Sequence, residues 1–234
     1  DWSADYRAGL RERPVRSPLR PGEIAARVAD SPPERAEPFE RIFADFESIV
    51  PPGMTHWQHP RFFAYFPSNA APPAVIAEQL AGAMSTQNML WQTSPAATEL
   101  EQRMVDWLRQ AVGLPEGFSG VLQDTASSAT LCAVLTMRET TLAWDGNRDG
   151  LAAHPQVRIY TSPHAHSSVE KACWVAGIGA RNVVQVPTRK GDPRLGIDPR
   201  ALEAAIADDR RAGLLPAGIV ACVGATSVGA SDPL

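Results

Sequence analysis

The pattern of apolar and polar residues along the chain predicts strands that alternate with helices. Short apolar runs, typical of strands, cover four segments: Val121–Leu122, Val157–Tyr160, Asn182–Val186 and Ala217–Val223. The clearest helical spacing covers residues 95–112, where Pro95 suits the first position of a helix and Gly113 can end it. Strands that alternate with helices predict an α/β fold with a mostly parallel sheet and right-handed crossovers.

Further helices are predicted at these positions: Glu23–Ala29, Glu37–Ile49, Pro72–Met84, the residues after Thr125, the residues after Ser167 and Ser168, and the residues after Asp198-Pro199. In the Pro72–Met84 helix, Val75, Ile76 and Leu80 are expected to face inward. The aromatic run Phe62–Phe66 predicts a buried edge strand. It is also suited to the wall of a substrate pocket, because pockets favour aromatic linings.

Composition narrows the functional class. A chain of 234 residues with 44% hydrophobic residues can bury a sizeable core. A net charge of -4 without a basic block argues against nucleic-acid binding and against anionic membrane surfaces. No apolar run is long enough to span a bilayer and no secretory leader is recognisable, so we expect a cytoplasmic protein. The three cysteines read as core thiols in a reducing compartment, and the histidines lack zinc spacing, so no metal is expected.

Two strand–turn–helix segments carry candidate chemistry. His166 follows the strand at Val157–Tyr160 and precedes a helix, at the edge of the sheet where open α/β folds bind ligands. The hydroxyl-rich turn at residues 124–128 precedes another helix, whose free N–H groups suit a phosphate. Taken alone, His166 can be an ordinary surface histidine, and the turn can be an ordinary helix cap. No glycine-rich nucleotide motif is present.

Together the two segments resemble the aromatic-L-amino-acid decarboxylase family of group II pyridoxal-phosphate-dependent decarboxylases. Further matching segments are THWQHPRFFAYFPSNA at 55–70, SPAATELEQRMVDWL at 94–108, HSSVEKA at 166–172 and VGATSVGASDPL at 223–234. They occur in the order found in the family and cover the chain from about Pro51 to its end.

The resemblance implies the aspartate-aminotransferase-like fold (fold type I of pyridoxal-phosphate enzymes), truncated within its large domain. It divides the chain into three segments: an N-terminal helical dimerisation segment (1–50), an aromatic substrate-pocket loop with a linking helix (51–93), and the N-terminal part of the cofactor-binding large domain (94–234). It also implies a homodimer.

The resemblance implies roles for individual residues. Thr125, Ala126 and Ser127 would bind the phosphate of pyridoxal 5'-phosphate. His166 would be catalytic, stacked on the cofactor ring, and Thr226 would support that ring. The expected substrate-pocket residues are Trp57, Tyr65, Phe66, Pro67 and Ser68, with Met89 contributed by the neighbouring subunit. Asp124 replaces a glycine common in the family and is expected to face away from the phosphate.

The implied reaction is decarboxylation of an aromatic L-amino acid to its amine and CO2. A related aldehyde synthase, a decarboxylase of another amino acid and a catalytically incomplete dimer partner are the alternatives. Such enzymes bind their cofactor through a lysine, but the only lysines are Lys171 and Lys190, and neither matches the family's lysine. We therefore expect the chain to be inactive without a C-terminal half that supplies this residue.

Overall fold

In the computed structural model, the structure describes residues 2–66 and 70–233. The chain forms two compact units, Asp1–Met84 and Ser85–Leu234. The three-segment division expected from the sequence stays a prediction. Within the described ranges, no helix has the length and apolar character needed to cross a membrane.

The first unit is helical in its described part. Its α-helices are α1 (Trp2–Ala8), α2 (Phe39–Gly53) and α3 (Pro72–Met84). The helix predicted at Glu23–Ala29 is wrong, because only a 3-10 turn forms there (Ala25–Arg27), with no buried residue to stabilise it. Trp2 of α1 packs against Phe46 of α2, with ring centroids 5.0 Å apart.

Two buried histidines connect α1 and the segment after it to the loop that follows α2. The Tyr6 hydroxyl lies 2.7 Å from Nδ1 of His56, and Nε2 of His59 lies 3.3 Å from the carbonyl oxygen of Arg11. Burial lowers the pKa of His56, and the nearby Arg13 and His59 lower it further. These histidines therefore have a structural role within the first unit.

The second unit contains a three-stranded parallel sheet. Its strands are β1 (Val157–Thr161), β2 (Val183–Gln185) and β3 (Leu215–Val220), in the order β2-β1-β3. Its α-helices are α4 (Pro95–Ala111), α5 (Ala126–Thr141), α6 (Asp145–Asp149), α7 (Ser168–Val175) and α8 (Pro199–Arg211). The α/β class and the parallel sheet are confirmed.

Alternating residues of β1 build two cores, one on each face of the sheet. Val157 and Ile159 pack with Val134 of α5 and Cys173 of α7. Tyr160 packs on the opposite face with partly buried side chains of α8. This alternation follows from the two-residue period of a strand, and it places helices on both sides of the sheet.

The predicted strand at Val121–Leu122 is wrong. Both side chains are exposed, and the backbone N–H of Leu122 donates to the carboxylate of Glu101 at 2.8 Å instead of to a neighbouring strand. The inward face predicted for α3 is also wrong, because Val75, Ile76 and Leu80 are all exposed. In both cases the apolar pattern is present, but the described residues do not cover it.

A buried ion pair lies in the last turn of α5. The carboxylate of Glu139, which is 2% exposed, accepts hydrogen bonds from Arg138 Nε at 2.7 Å and from the backbone N–H of Asn147 at 2.9 Å. Arg138 also donates to the carbonyl oxygen of Ala176, just after α7. The pair therefore links α5, α6 and α7.

Removing the charge of Glu139 should destabilise the second unit. In Glu139→Gln the guanidinium of Arg138, whose side chain is only 11% exposed, loses its counter-ion. Loss of one partner of a buried pair costs about 3 kcal/mol or more. Urea unfolding of the natural polypeptide that contains these residues measures the loss. Asp145→Asn is the control, because its pair with Arg148 is exposed at the surface and contributes at most about 1 kcal/mol. Equal losses in the two variants would contradict the buried-pair argument.

Candidate functional site

His166 lies between the end of β1 and the start of α7, where the sequence placed it, and its side chain is exposed. Its Nδ1 accepts the backbone N–H of Ser168 at 3.2 Å and lies 3.0 Å from the Ser168 hydroxyl oxygen. Ser167 stands at the N-cap position of α7, but its side chain makes no capping hydrogen bond. The imidazole of His166 takes that role.

The hydroxyl-rich turn forms the start of α5. Thr125 is extended (φ -143, ψ 159), and its Oγ1 accepts the backbone N–H of Ser128 at 3.1 Å. Thr125 is therefore the N-cap. The backbone N–H groups of Ala126 and Ser127 lie in the first turn, where a helix offers them no acceptor. The exposed hydroxyl of Ser127 adds a third donor beside them.

The starts of α5 and α7 lie side by side. Ser127, Ser128, Ser168 and Lys171 line one cavity of about 230 Å³. His166 borders a second, polar cavity of about 340 Å³ at the carboxyl ends of β1 and β2. Ser168, which lines the cavity beside Ser127 and contacts the imidazole of His166, therefore links the α5 turn to His166.

Thr226 lies in the loop after β3, and its side chain is exposed. Because β3 runs parallel to β1, the loop that contains Thr226 and the connection that contains His166 both follow the carboxyl ends of their strands, on the same side of the sheet. The buried carboxylate of Asp232 closes the loop by accepting the backbone N–H groups of Cys222 at 2.7 Å and Ile197 at 2.9 Å. Sequence reasoning missed Asp232, because nothing in the local pattern marks a carboxylate as buried.

Asp124 lies beside the donors of the α5 turn. The hydrogen bond from the Ser128 hydroxyl lowers the pKa of Asp124, and the backbone N–H of Thr125 adds to that effect. The expectation that this carboxylate faces away from a bound phosphate stays a prediction. Free N–H groups and a hydroxyl attract any nearby anion, including a side chain of the chain itself.

The aromatic loop of the first unit forms a stacked cluster. The Trp57 ring stacks with Phe62 at 5.1 Å and with Tyr65 at 5.5 Å. Tyr65 has a left-handed backbone (φ 56), so the strand predicted at Phe62–Phe66 does not form. Tyr65 and Phe66 are mostly exposed, and so is Phe63, which was expected in the core.

Two of the predicted substrate-pocket residues, Pro67 and Ser68, lie outside the described residues. Met89 belongs to the second unit and is 75% exposed. Its contribution to a pocket of a neighbouring subunit stays a prediction.

The residues of the second unit fit a phosphorylated ring cofactor. The α5 turn offers backbone and hydroxyl donors of the kind that phosphates bind. The exposed imidazole of His166 offers a flat face for a ring, and the Thr226 hydroxyl can donate or accept a hydrogen bond. Within the described part of the chain, no cluster of histidine, cysteine and carboxylate side chains is arranged to hold a metal ion.

Curated proteins similar to this chain include aromatic amino-acid decarboxylases and aldehyde synthases. The chain is 37% identical over 242 residues to a phenylacetaldehyde synthase of Petunia hybrida, covering 100% of this chain and 46% of that protein. It is 38% identical over 251 residues to an aromatic-L-amino-acid decarboxylase of Rattus norvegicus, covering 100% of this chain and 50% of that protein. The chain therefore spans about half the length of the curated relatives it matches.

Solved structures show the same fold. The crystal structure of Oryza sativa TDC with PLP and tryptamine matches with a TM-score of 0.92 and 37% identity, covering 100% of this chain and 49% of that one. Neighbours of this kind are fold type I pyridoxal-phosphate enzymes. The profile of the pyridoxal-dependent decarboxylase conserved domain matches residues 21–234. The chain therefore belongs to the pyridoxal-dependent decarboxylase family.

Proposed function

We propose that the natural polypeptide containing this chain decarboxylates an aromatic L-amino acid to its amine and CO2, with pyridoxal phosphate as cofactor. The observation that carries the proposal is the arrangement of α5 and α7. Their adjacent starts bring Ser127 and Ser168 to one cavity, and Ser168 contacts the imidazole of His166. The relatives named above include an aromatic-L-amino-acid decarboxylase, which supports the substrate class.

Each residue of the site would contribute binding or orientation. Thr125 shapes the turn, and the N–H groups of Ala126 and Ser127 with the Ser127 hydroxyl would bind the phosphate. His166 would cover one face of the ring and direct an imidazole N–H toward the substrate carboxylate. Thr226 would support the ring from the β3 loop. When bound, the cofactor supplies an electron-withdrawing ring that stabilises negative charge at the carbon that loses CO2.

The substrate class rests on the aromatic loop. Trp57, Tyr65 and Phe66 present exposed ring surface, which is suited to an aromatic side chain. We also propose that the enzyme is a homodimer in which Met89 of the partner subunit completes the pocket.

Neither lysine of the chain is proposed to carry the cofactor. Lys171 lies on α7 and lines the cavity beside Ser127, and Lys190 lies in an exposed turn, but neither matches the position of the family's lysine. We therefore propose that residues 1–234 alone decarboxylate nothing and that the lysine comes from residues beyond them. Borohydride reduction of residues 1–234 with pyridoxal phosphate, followed by peptide mapping, tests this. Stoichiometric labelling of either lysine together with CO2 release would refute it.

The function itself is tested with the natural polypeptide and pyridoxal phosphate. Phenylalanine, tyrosine, tryptophan and dopa are offered in turn, and CO2, amine and aldehyde are measured. We expect CO2 and amine in equal amounts. The Petunia hybrida relative favours a second candidate, an aldehyde synthase, which would release an aldehyde and consume O2. Activity confined to acidic or aliphatic amino acids would contradict the proposal.

Neutralising Asp124 should tighten cofactor binding. This carboxylate lies beside the turn proposed to bind the phosphate, where it interacts with Ser128 and Thr125, so Asp124→Asn removes a negative charge near that of the phosphate. We expect the cofactor Kd to fall by about fivefold, the size of one unit-charge repulsion at short range in water. Asp149→Asn is the matched control, because it makes the same change at an exposed residue of α6. An unchanged Kd in Asp124→Asn would show that the carboxylate moves aside when the cofactor binds.

A further inference from the structure

We infer that Ser168 is a positioning residue that fixes the orientation and the tautomer of His166, so that the imidazole presents Nε2–H to the substrate. The inference rests on the proposed function of His166 and adds a residue to it. It is carried by two hydrogen bonds that join the same atom, Nδ1 of His166, to the backbone and the side chain of Ser168.

The two contacts orient the ring. The Ser168 backbone N–H donates to Nδ1 of His166 at 3.2 Å, and the Ser168 hydroxyl oxygen lies 3.0 Å from the same nitrogen. Ser168 itself is 7% exposed, so its hydroxyl is held among protein atoms, whereas the His166 side chain is exposed. A buried group therefore anchors one edge of the imidazole and leaves the other edge toward solvent.

The backbone contact also selects the tautomer. A backbone N–H can only donate, so Nδ1 must carry a lone pair and no proton in this arrangement. The neutral ring then carries its proton on Nε2. The Ser168 hydroxyl can donate to Nδ1 as well, which favours the same tautomer. This assignment follows from the hydrogen-bond network, as histidine tautomers ordinarily do.

A fixed Nε2–H has a chemical consequence for decarboxylation. It gives the site a hydrogen-bond donor that can orient the substrate carboxylate and a proton held at a defined atom. A ring free to rotate, or one protonated on Nδ1, would present a lone pair to a carboxylate and repel it. Ser168 thereby controls what His166 offers, although Ser168 need not touch the substrate.

The test compares two adjacent serines in the natural polypeptide. Ser168→Ala removes the hydroxyl that contacts Nδ1, and Ser167→Ala makes the same change at a side chain without a capping hydrogen bond. Histidine 15N NMR reads the protonation of each ring nitrogen, and the His166 signal is assigned by its loss in His166→Gln. This measurement requires no turnover.

We expect wild-type His166 to carry its proton on Nε2. In Ser168→Ala the backbone N–H that selects this tautomer remains, so we expect the proton to stay on Nε2 while the ring signals broaden, because one of the two contacts that orient the ring is lost. We expect kcat to fall by about tenfold in Ser168→Ala with an unchanged cofactor Kd, because orientation is lost while binding remains. Ser168→Thr keeps the hydroxyl, so its His166 spectrum and its kcat should match the wild type. Ser167→Ala should change neither the spectrum nor kcat.

Three results would overturn the inference: a wild-type proton on Nδ1, an unchanged spectrum and kcat in Ser168→Ala, or equal effects in Ser167→Ala. The NMR result separates the inference from the proposed function. If wild-type His166 carries its proton on Nε2 and the ring signals broaden in Ser168→Ala, in a polypeptide that decarboxylates nothing, the inference holds and the function is wrong.

Discussion

Replacing Ser127 by aspartate is expected to abolish binding of pyridoxal phosphate to the natural polypeptide at concentrations that saturate the wild type. The new carboxylate would lie in the first turn of α5, beside the N–H groups proposed to bind the phosphate. Phosphate groups carry close to two negative charges at neutral pH. Repulsion at this distance, together with loss of a hydroxyl donor, should raise the cofactor Kd by about 100-fold or more.

Ser127→Asn separates charge from size, because asparagine has the shape of aspartate without its charge. We expect its cofactor Kd to rise only severalfold. Titration of the apoprotein, followed by absorbance of the bound cofactor, measures both variants. Equal losses of affinity would mean that bulk, and not charge, disturbs the turn, and unchanged affinity in Ser127→Asp would remove this turn from the proposed site.

Replacing His166 by alanine should lower kcat by about 1,000-fold and raise the cofactor Kd by less than tenfold. The phosphate donors of the α5 turn remain in this variant, whereas the imidazole that would face the ring and the substrate carboxylate is lost. Effects of this size are typical for removal of a positioned acid–base or orienting group.

His164→Ala is the matched control, because His164 lies in the same connection between β1 and α7 but makes none of the contacts to Ser168. We expect its kcat to stay within severalfold of the wild type. A parallel loss of kcat and cofactor affinity in His166→Ala would instead indicate a purely structural residue. Circular dichroism checks that α7 is intact, since His166 also caps that helix.

Local patterns predicted the elements whose side chains pack against the two cores of the second unit. β1 combines β-branched and aromatic residues with turn residues after it, and α8 begins at Pro199 with the Asp198 side chain accepting the backbone N–H of Arg200. Both follow from short-range physical chemistry. The resemblance of the 124–128 and 158–177 segments to a known family then indicated candidate roles that periodicity could not.

Long-range partners account for the failures. Val121 and Leu122 read as a strand, but a strand needs a neighbour to accept and donate its backbone hydrogen bonds, and Glu101 takes that place. The pairing of Ser168 with His166 was overlooked for a different reason. A serine at a helix start ordinarily caps its own helix, so the sequence offered no signal that a histidine would do so and that the serine would hold the histidine.

The strand that leads to His166 is the central strand of the sheet, and this position affects how the site fluctuates. β1 is hydrogen-bonded on both sides, and four of its five residues are buried, whereas β2 and β3 each pair with β1 alone in the described sheet. Local opening begins at edges, where few bonds must break, and reaches doubly paired strands last. His166 therefore follows a strand that is held on both sides, and its attachment to the sheet does not depend on a single row of hydrogen bonds.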